Sequence, residues 1–350
     1  MVGTGGIMKA FFLDDKQTLS LRDAGRPEPG PGEVALRVHR VGICGSDVEY
    51  YLHYRIGSFI PQAPLVLGHE LSGEVVSAGP EVSLTPGTPV AIDPSMPCRR
   101  CEYCRAGRHN LCTNMRFMGT AATVPHIPGG FGEYVVIPEE NCHVVPDHVS
   151  WGEAACLEPL AVAVHAALRP GSIAGARVLV TGGGTIGQFV ALTARALGSA
   201  TVAVSDLQEF RRSFALEQGA HLAFDPADPD DVARARDQAG GFDLIFEASG
   251  APAAVSANLG LVERGGTIVQ IGSIQSDVTM PANLIMAKEL TVLGSFRYGE
   301  VYETAMSLLA SRRVDVRPLI SRTFSYDQTP DAFALAARRE DAVKVQVEVS

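Results

Sequence analysis

One stretch constrains the architecture more than any other. Val178-Leu179-Val180-Thr181 runs directly into Gly182-Gly183-Gly184-Thr185-Ile186-Gly187, and Ala-rich chain follows. An apolar strand entering Gly-x-Gly-x-x-Gly and then a helix is the phosphate-binding turn of a doubly wound α/β sheet. Gly182 permits the tight turn, Gly184 lets backbone approach a pyrophosphate, and Gly187 lets helix and strand close up. The helix N-terminus offers free amides and a positive dipole end to the phosphates. Asp206 follows at the end of the next strand, about 20 residues on, where a carboxylate meets the adenosine ribose hydroxyls. The same charge repels a 2′-phosphate, which favours NAD over NADP. Arg211 and Arg212 are the complication, because they would accommodate a phosphate if the chain bent locally.

The pattern downstream supports a parallel sheet covered on both faces. Compact apolar runs at Arg177–Thr181, Ala200–Ser205, 222–224, Asp243–Glu247, Thr267–Ile271 and Leu290–Gly294 read as strands. Helical stretches alternate with them at Thr185–Leu197, Leu207–Gln218, Asp230–Ala239 and Ala251–Leu261. Near-continuous apolar strands alternating with helices indicate exactly that layered arrangement. After Ser295 the sequence predicts one amphipathic helix, Val301–Leu309, and strand-like ends that return to the first domain.

The first ~150 residues have a different texture, with short β-rich pieces between Gly and Pro signals. Glu33–Val41, Leu71–Ser77, Pro89–Asp93 and Gly132–Ile137 are examples. A chain of 350 residues divided this way suggests two domains. Hydrophobic content of 46% and charged content of 19% exclude a disordered chain. Lys+Arg against Asp+Glu is 29 − 39 = −10, a surface that disfavours nucleic acid and anionic lipid as partners. No apolar run reaches the ~20 residues of a membrane span. Residues 1–7 read as a flexible extension without secretory character, the ordered chain beginning near Met8.

Seven cysteines without a secretory start point to a reducing cytoplasm rather than a disulfide framework. Four crowd together as Cys98-x2-Cys101-x2-Cys104-x7-Cys112. Four thiolates around tetrahedral Zn2+ make a closed, structural site. Four thiolates also suit iron–sulfur clusters, but nothing else in the chain suggests electron transfer. The loop has few apolar residues, and metal binding would supply its folding free energy.

A second constellation combines Gly42-Ile43-Cys44-Gly45-Ser46-Asp47 with Gly68-His69-Glu70 and Glu158-Pro159-Leu160. Catalytic zinc keeps three protein ligands and one open position, which a Cys/His/Glu set provides. Singly, Cys44 reads as a small buried hydrophobe, His69 as a core histidine, Glu70 as a surface acid and Glu158 as a helix N-terminal charge. Beside a nucleotide fold, the combination reads as an active site.

These motifs, in this order, resemble the zinc-dependent medium-chain alcohol dehydrogenases over essentially the whole chain after residue 8. Tyr54–Phe59 and Gly294–Tyr298 resemble the polyol dehydrogenase branch, with sorbitol and xylitol as substrates; the stretch from Ala91 to Phe131 resembles the L-idonate 5-dehydrogenases. The resemblance implies a GroES-like β-rich catalytic domain, residues 1–160 and 297–350, interrupted by a Rossmann NAD-binding domain, residues 161–296, with the active site in the cleft. It implies two Zn2+ per chain and NAD. Cys44 and His69 become catalytic zinc ligands, with either Glu70 or Glu158 the direct third; Asp47 orients the histidine. Ser46 is the expected first proton relay. Tyr50, Tyr51, Arg297 and Tyr298 are expected substrate contacts, with Arg297 gripping a carboxylate; Thr185, Ile186 and Arg211 join the glycines and Asp206 at the cofactor.

The implied activity is hydride transfer from a secondary alcohol of a sugar acid or polyol to NAD+. L-Idonate is the favoured substrate, and sorbitol, xylitol or butanediol are the alternatives. The non-enzyme alternative is an inactive NAD-binding protein, which loss of a zinc ligand would mark. The resemblance also implies a homodimer or homotetramer.

Overall fold

The computed structural model describes residues 6–350. Residues 1–5 of the expected extension lie outside the described residues, and the first strand, Ile7–Asp15, begins one residue before the expected Met8. The chain divides into two compact units, Met1–Glu158 with Ile320–Ser350, and Pro159–Leu319.

The first unit is β-rich. Its main sheet runs Ile320–Ser325, Lys344–Glu348, Glu33–Gly42, Glu70–Ala78, Pro89–Ile92 and Cys142–Val144, with Tyr134–Pro138 also paired to Glu33–Gly42. The four strands expected here form close to their expected bounds. Alternation puts Val34, Leu36, Val38 and Val41 into the core with Leu71, Val75, Val90 and Phe131. Burying each such side chain is worth about 1.5–3 kcal/mol.

In the second unit, six parallel strands are ordered Leu222–Phe224, Thr201–Ser205, Arg177–Thr181, Phe242–Glu247, Val262–Gln270, Thr291–Gly294. That is the 3-2-1-4-5-6 order of a doubly wound nucleotide fold. The central strands are fully buried at Val178, Leu179, Val180, Ile245 and Phe246, as their uninterrupted apolar runs require.

Two expectations differ from the structure. The chain re-enters the first unit at Ile320, not at residue 297, so the helix Tyr302–Ala310 belongs to the nucleotide unit. The last part is also not simply strand-like: a helix, Thr329–Arg338, lies between its two strands. Thr329-Pro330 starts it with proline in the first turn, and Ala332, Phe333 and Leu335 form its buried face. No helix among the described residues is long and apolar enough to cross a membrane.

Candidate active site and metal lobe

The first unit brings Cys44, Ser46, Asp47, His69, Glu70 and Glu158 together in one body. Cys44 stands at the N-cap of the helix Gly45–His53, directly after a core strand. Asp47 ties this turn to the histidine loop. It is completely buried; its Oδ2 accepts the Cys44 N–H at 2.9 Å and its Oδ1 accepts the Gly68 N–H at 3.3 Å. The same Oδ1 faces His69 Nδ1 at 3.5 Å. The other ring nitrogen, Nε2, therefore looks the opposite way, toward Ser46 Oγ at 3.4 Å.

The histidine loop is held by close backbone approaches. Gly68 has φ +96°, and a Cβ there would meet the Phe131 ring at 2.8 Å. Gly129 packs so tightly that its Cβ would lie 2.3 Å from the Gly68 carbonyl oxygen. Phe131 N–H and Gly130 N–H donate to the carbonyls of Leu67 and Gly68. A ligand on such a loop keeps its place without a metal to hold it.

The two glutamates differ sharply. Glu70 is buried, and both of its oxygens accept from Lys344 Nζ, at 2.8 and 2.6 Å. Lys344 also donates to the Ile43 carbonyl at 3.1 Å. Burial works against the lysine charge, but Glu70 and Cys44 hold its pKa above the ordinary value. Gly42 makes room for this pair: a Cβ there would sit 2.2 Å from Glu70 Oε2. Glu158 is also buried, in the first turn of the helix Leu157–Leu168. Desolvation pushes its carboxyl up to about 8, opposed by His69 and Lys344. A buried carboxylate of this kind gains most from a cation.

His69 shows the same preference. Burial disfavours its charge, yet Asp47 and Cys44 together raise its pKa well above the usual histidine value. Sulfur, imidazole and carboxylate are the donor types of a zinc ion with one open position, although the ligand atoms of Cys44, His69 and Glu158 do not all lie within 4.8 Å of one another.

The cysteine lobe is more compact. Among the described residues, Cys98, Cys101, Cys104 and Cys112 are the one set of three or more such side chains whose ligand atoms all lie within 4.8 Å. Backbone N–H groups point at the sulfurs. Cys98 N–H donates to Cys112 Sγ at 3.1 Å and Asn114 N–H at 3.4 Å. Backbone donors at Cys104 and Thr113 pull the Cys101 thiol down to about 6, whereas burial pushes Cys104 up to about 12. Donors aimed at sulfur are the outer shell of a thiolate–metal site. None of the seven cysteines is joined in a disulfide.

In the nucleotide unit, Gly182 has φ +94°, and a Cβ there would lie 2.7 Å from the Ser249 nitrogen. A Cβ on Gly187 would lie 1.7 Å from the Gly182 carbonyl oxygen. The helix Thr185–Ala196 starts at an N-cap Gly184, with Ile186 in its first turn. Asp206 Oδ2 accepts the Gly183 N–H at 2.8 Å and Oδ1 the Gln208 N–H at 2.9 Å. Arg211 Nη1 lies 3.3 Å from Asp206 Oδ2. Arg212 is turned onto the carbonyls of Asp206 and Leu207, each at 2.8 Å.

The expected substrate residues are spread over both units. Tyr50 and Tyr51 lie in the first, both buried, and the Tyr50 hydroxyl accepts the Ala121 N–H at 3.2 Å. Arg297 and Tyr298 lie in the second. Arg297 has φ +53° and carries its guanidinium over the Phe296 ring at 4.8 Å. Tyr298 is buried, edge-on to Tyr302. Sequence reasoning missed Lys344. The signal was there: a lysine within the strand Lys344-Val-Gln-Val-Glu348, where a fully buried lysine requires a partner.

Comparison with known proteins agrees with this arrangement. Residues 30–147 match the profile of the alcohol dehydrogenase GroES-like domain, and residues 185–311 that of the zinc-binding dehydrogenases. A probable D-xylulose reductase A of Aspergillus clavatus is 39% identical over 333 residues, 93% of this chain and 92% of the relative. Sorbitol dehydrogenase of Gallus gallus is 38% identical, covering 94% and 93%. The crystal structure of L-idonate 5-dehydrogenase from Escherichia coli superposes with a TM-score of 0.92 at 33% identity, covering 98% and 99%. With the GroES-like and Rossmann folds both present and the cysteine lobe formed, this chain belongs to the zinc-dependent medium-chain alcohol dehydrogenases, in their polyol dehydrogenase branch.

Proposed function

We propose that the chain oxidises a secondary hydroxyl of an open-chain polyol, with NAD+ as acceptor. The observation that carries this reading is the Asp47-held pair of Cys44 and His69, with Glu158 buried and in electrostatic contact with His69, while Glu70 is tied to Lys344. Cys44, His69 and Glu158 would hold a catalytic Zn2+, and the four lobe cysteines a structural one. Bound there, zinc supplies a Lewis acid for the substrate hydroxyl, and NAD+ the hydride acceptor. Asp47 fixes the His69 ring by its Nδ1 side, leaving Nε2 as the nitrogen that would hold the ion. Ser46, the hydroxyl nearest Nε2, takes the substrate proton outward. Metal analysis tests the set: two zinc ions per chain support it, and one confined to the cysteine lobe favours an inactive NAD-binding protein.

Asp206 selects the cofactor. Its carboxylate engages the ribose hydroxyls and repels a 2′-phosphate, and it also restrains Arg211, while Arg212 is turned away onto backbone carbonyls. Asp206→Ala is expected to lower kcat/KM for NAD+ about tenfold, as for loss of one charged hydrogen bond. It should also narrow the preference over NADP+; an unchanged ratio of the two kcat/KM values overturns the assignment.

For the substrate, the xylulose reductase and sorbitol dehydrogenase relatives favour xylitol and sorbitol. L-Idonate is a second reading, supported by the neighbour at TM-score 0.92 and by a guanidinium at Arg297. The measurement is kcat/KM for xylitol, sorbitol and L-idonate in wild type and Arg297→Lys. Robust polyol oxidation without aldonate activity supports the first reading. An aldonate preference that the lysine variant loses more steeply than polyol activity supports the second.

The reading includes a cytoplasmic homodimer or homotetramer. Thr291–Gly294 is the outer strand of its sheet and exposes Val292, a template for pairing with a second copy.

A further inference from the structure

The nucleotide unit contains a fully buried carboxylate that the site described above does not use. Glu247 ends the strand Phe242–Glu247 and is 0% exposed. Its Oε1 accepts the Ser249 N–H at 2.9 Å, the Ser249 hydroxyl, and the Gly250 N–H at 3.1 Å. Its Oε2 accepts the Gly250 N–H at 3.1 Å and the Gln270 amide at 2.6 Å. The Glu247 carbonyl accepts Ile271 N–H at 2.8 Å and Gly272 N–H at 2.9 Å. One residue thus holds two loops, that after Glu247 and that after Gln270, and the side-chain donors are all neutral.

Shape reinforces the clasp. A Cβ on Gly272 would lie 2.2 Å from the Gly250 nitrogen and 2.7 Å from Glu247 Oε2. Gly250 has φ +66°, with its Cβ position 2.4 Å from the Ser273 carbonyl oxygen. A Cβ on Gly182 would meet Ser249. These loops lie at the carboxyl ends of adjacent parallel strands, on the far side of the order reversal from Asp206. In such sheets a dinucleotide lies across that reversal, one nucleotide on each half. Asp206 and the glycine turn serve the adenosine half, so the Glu247 loops form the floor under the other half.

We propose that Glu247 is a positioning residue for the nicotinamide half of the cofactor, holding both loops beneath it in one conformation. The proposal rests on the reading of this unit as an NAD site. A purely structural role would weaken every nucleotide alike, or none. A positioning role separates a ligand that reaches across the reversal from one that does not.

The test uses the full-length, zinc-loaded protein and two probes, ADP for the adenosine half and NADH for the whole dinucleotide. Dissociation constants are measured for wild type, Glu247→Gln and Gln270→Ala. Losing one charged hydrogen bond corresponds to roughly tenfold. NADH binding is therefore expected to weaken about tenfold in Glu247→Gln and less in Gln270→Ala, with ADP binding unchanged in both. The double exchange Glu247→Gln/Gln270→Glu returns a carboxylate to the cluster and is expected to recover part of the NADH affinity. Unchanged NADH affinity in the variants, or equal loss for ADP and NADH, overturns the proposal. If Glu247→Gln does not fold, Gln270→Ala decides alone by the same comparison. Failure of wild type to bind either probe overturns the NAD reading itself, which the variants do not affect.

Discussion

Lys344→Met is expected to destabilise the first unit by about 3–5 kcal/mol, the usual consequence of leaving a buried charge without its partner. Glu70 would keep its carboxylate between core strands with neither of its present contacts from Nζ. Water does not replace them, because both side chains are about 1% exposed. Denaturant unfolding measures the loss. Glu70→Gln/Lys344→Met removes both charges together and is expected to be markedly more stable than the single variant. A single variant as stable as wild type means that the pair is not what holds Glu70. The experiment also bears on the metal. A Glu70 released from lysine becomes a competing oxygen donor one residue from His69, so zinc affinity at the catalytic set should change in Lys344→Met and stay unchanged in a surface control such as Arg234→Met.

The second large effect separates the two metal sites. Cys104→Ser removes a sulfur from the four-cysteine set and is expected to release that zinc and lower the melting temperature strongly, since structural zinc contributes folding free energy. The lobe has little else to fold on: its helix, Glu102–Arg105, is one turn long. Cys44→Ser is expected to abolish turnover with a much smaller change in melting temperature. Asp47, Gly68 and Phe131 hold that site through hydrogen bonds and packing that do not require the thiol. Zinc per chain and melting temperature, measured together, check the contrast. A Cys104→Ser protein that is fully stable and retains both metals removes the structural role of the lobe.

The nucleotide unit was largely legible in the sequence because most of its strands are short apolar runs ended by a turn, although the strand Val262–Gln270 begins before the expected Thr267 with a charged and glycine-containing stretch. Arg177–Thr181 and Leu222–Phe224 form with the expected bounds. The helix Thr329–Arg338 was missed because it is a short insertion between two strands, and its Ala-rich face packs on a sheet assembled from distant residues. The point of return at Ile320 rather than 297 is likewise set by which unit the helix Tyr302–Ala310 packs with, and local pattern carries no information about that.

At the candidate site, motif spacing nominated Cys44 and His69, and the structure brings them to one aspartate. It left Glu70 and Glu158 equivalent, because what separates them is register. Strand pairing sets Gly42 against Glu70 and Gln346 against Gly42, which delivers Lys344 to Glu70 from more than two hundred residues away in sequence. No reading of short segments contains that contact. The arginines near Asp206 pose a similar problem: Arg211 and Arg212 are adjacent in sequence but are turned to different partners.

The interrupted construction of the first unit has a consequence for biosynthesis. The strand Lys344–Glu348 lies inside its sheet, between Ile320–Ser325 and Glu33–Gly42. On a ribosome the early segment, through Glu158, emerges with that place empty, and Glu70 waits without its lysine. The nucleotide unit is contiguous, so it can fold while the rest is still being made. Completion of the catalytic unit is then a late, long-range closure, made when the final strand slides into a gap between partners already in place. Synthesis of the strand Lys344–Glu348, rather than of the cysteine and histidine motifs, sets the moment at which Glu70 acquires its partner.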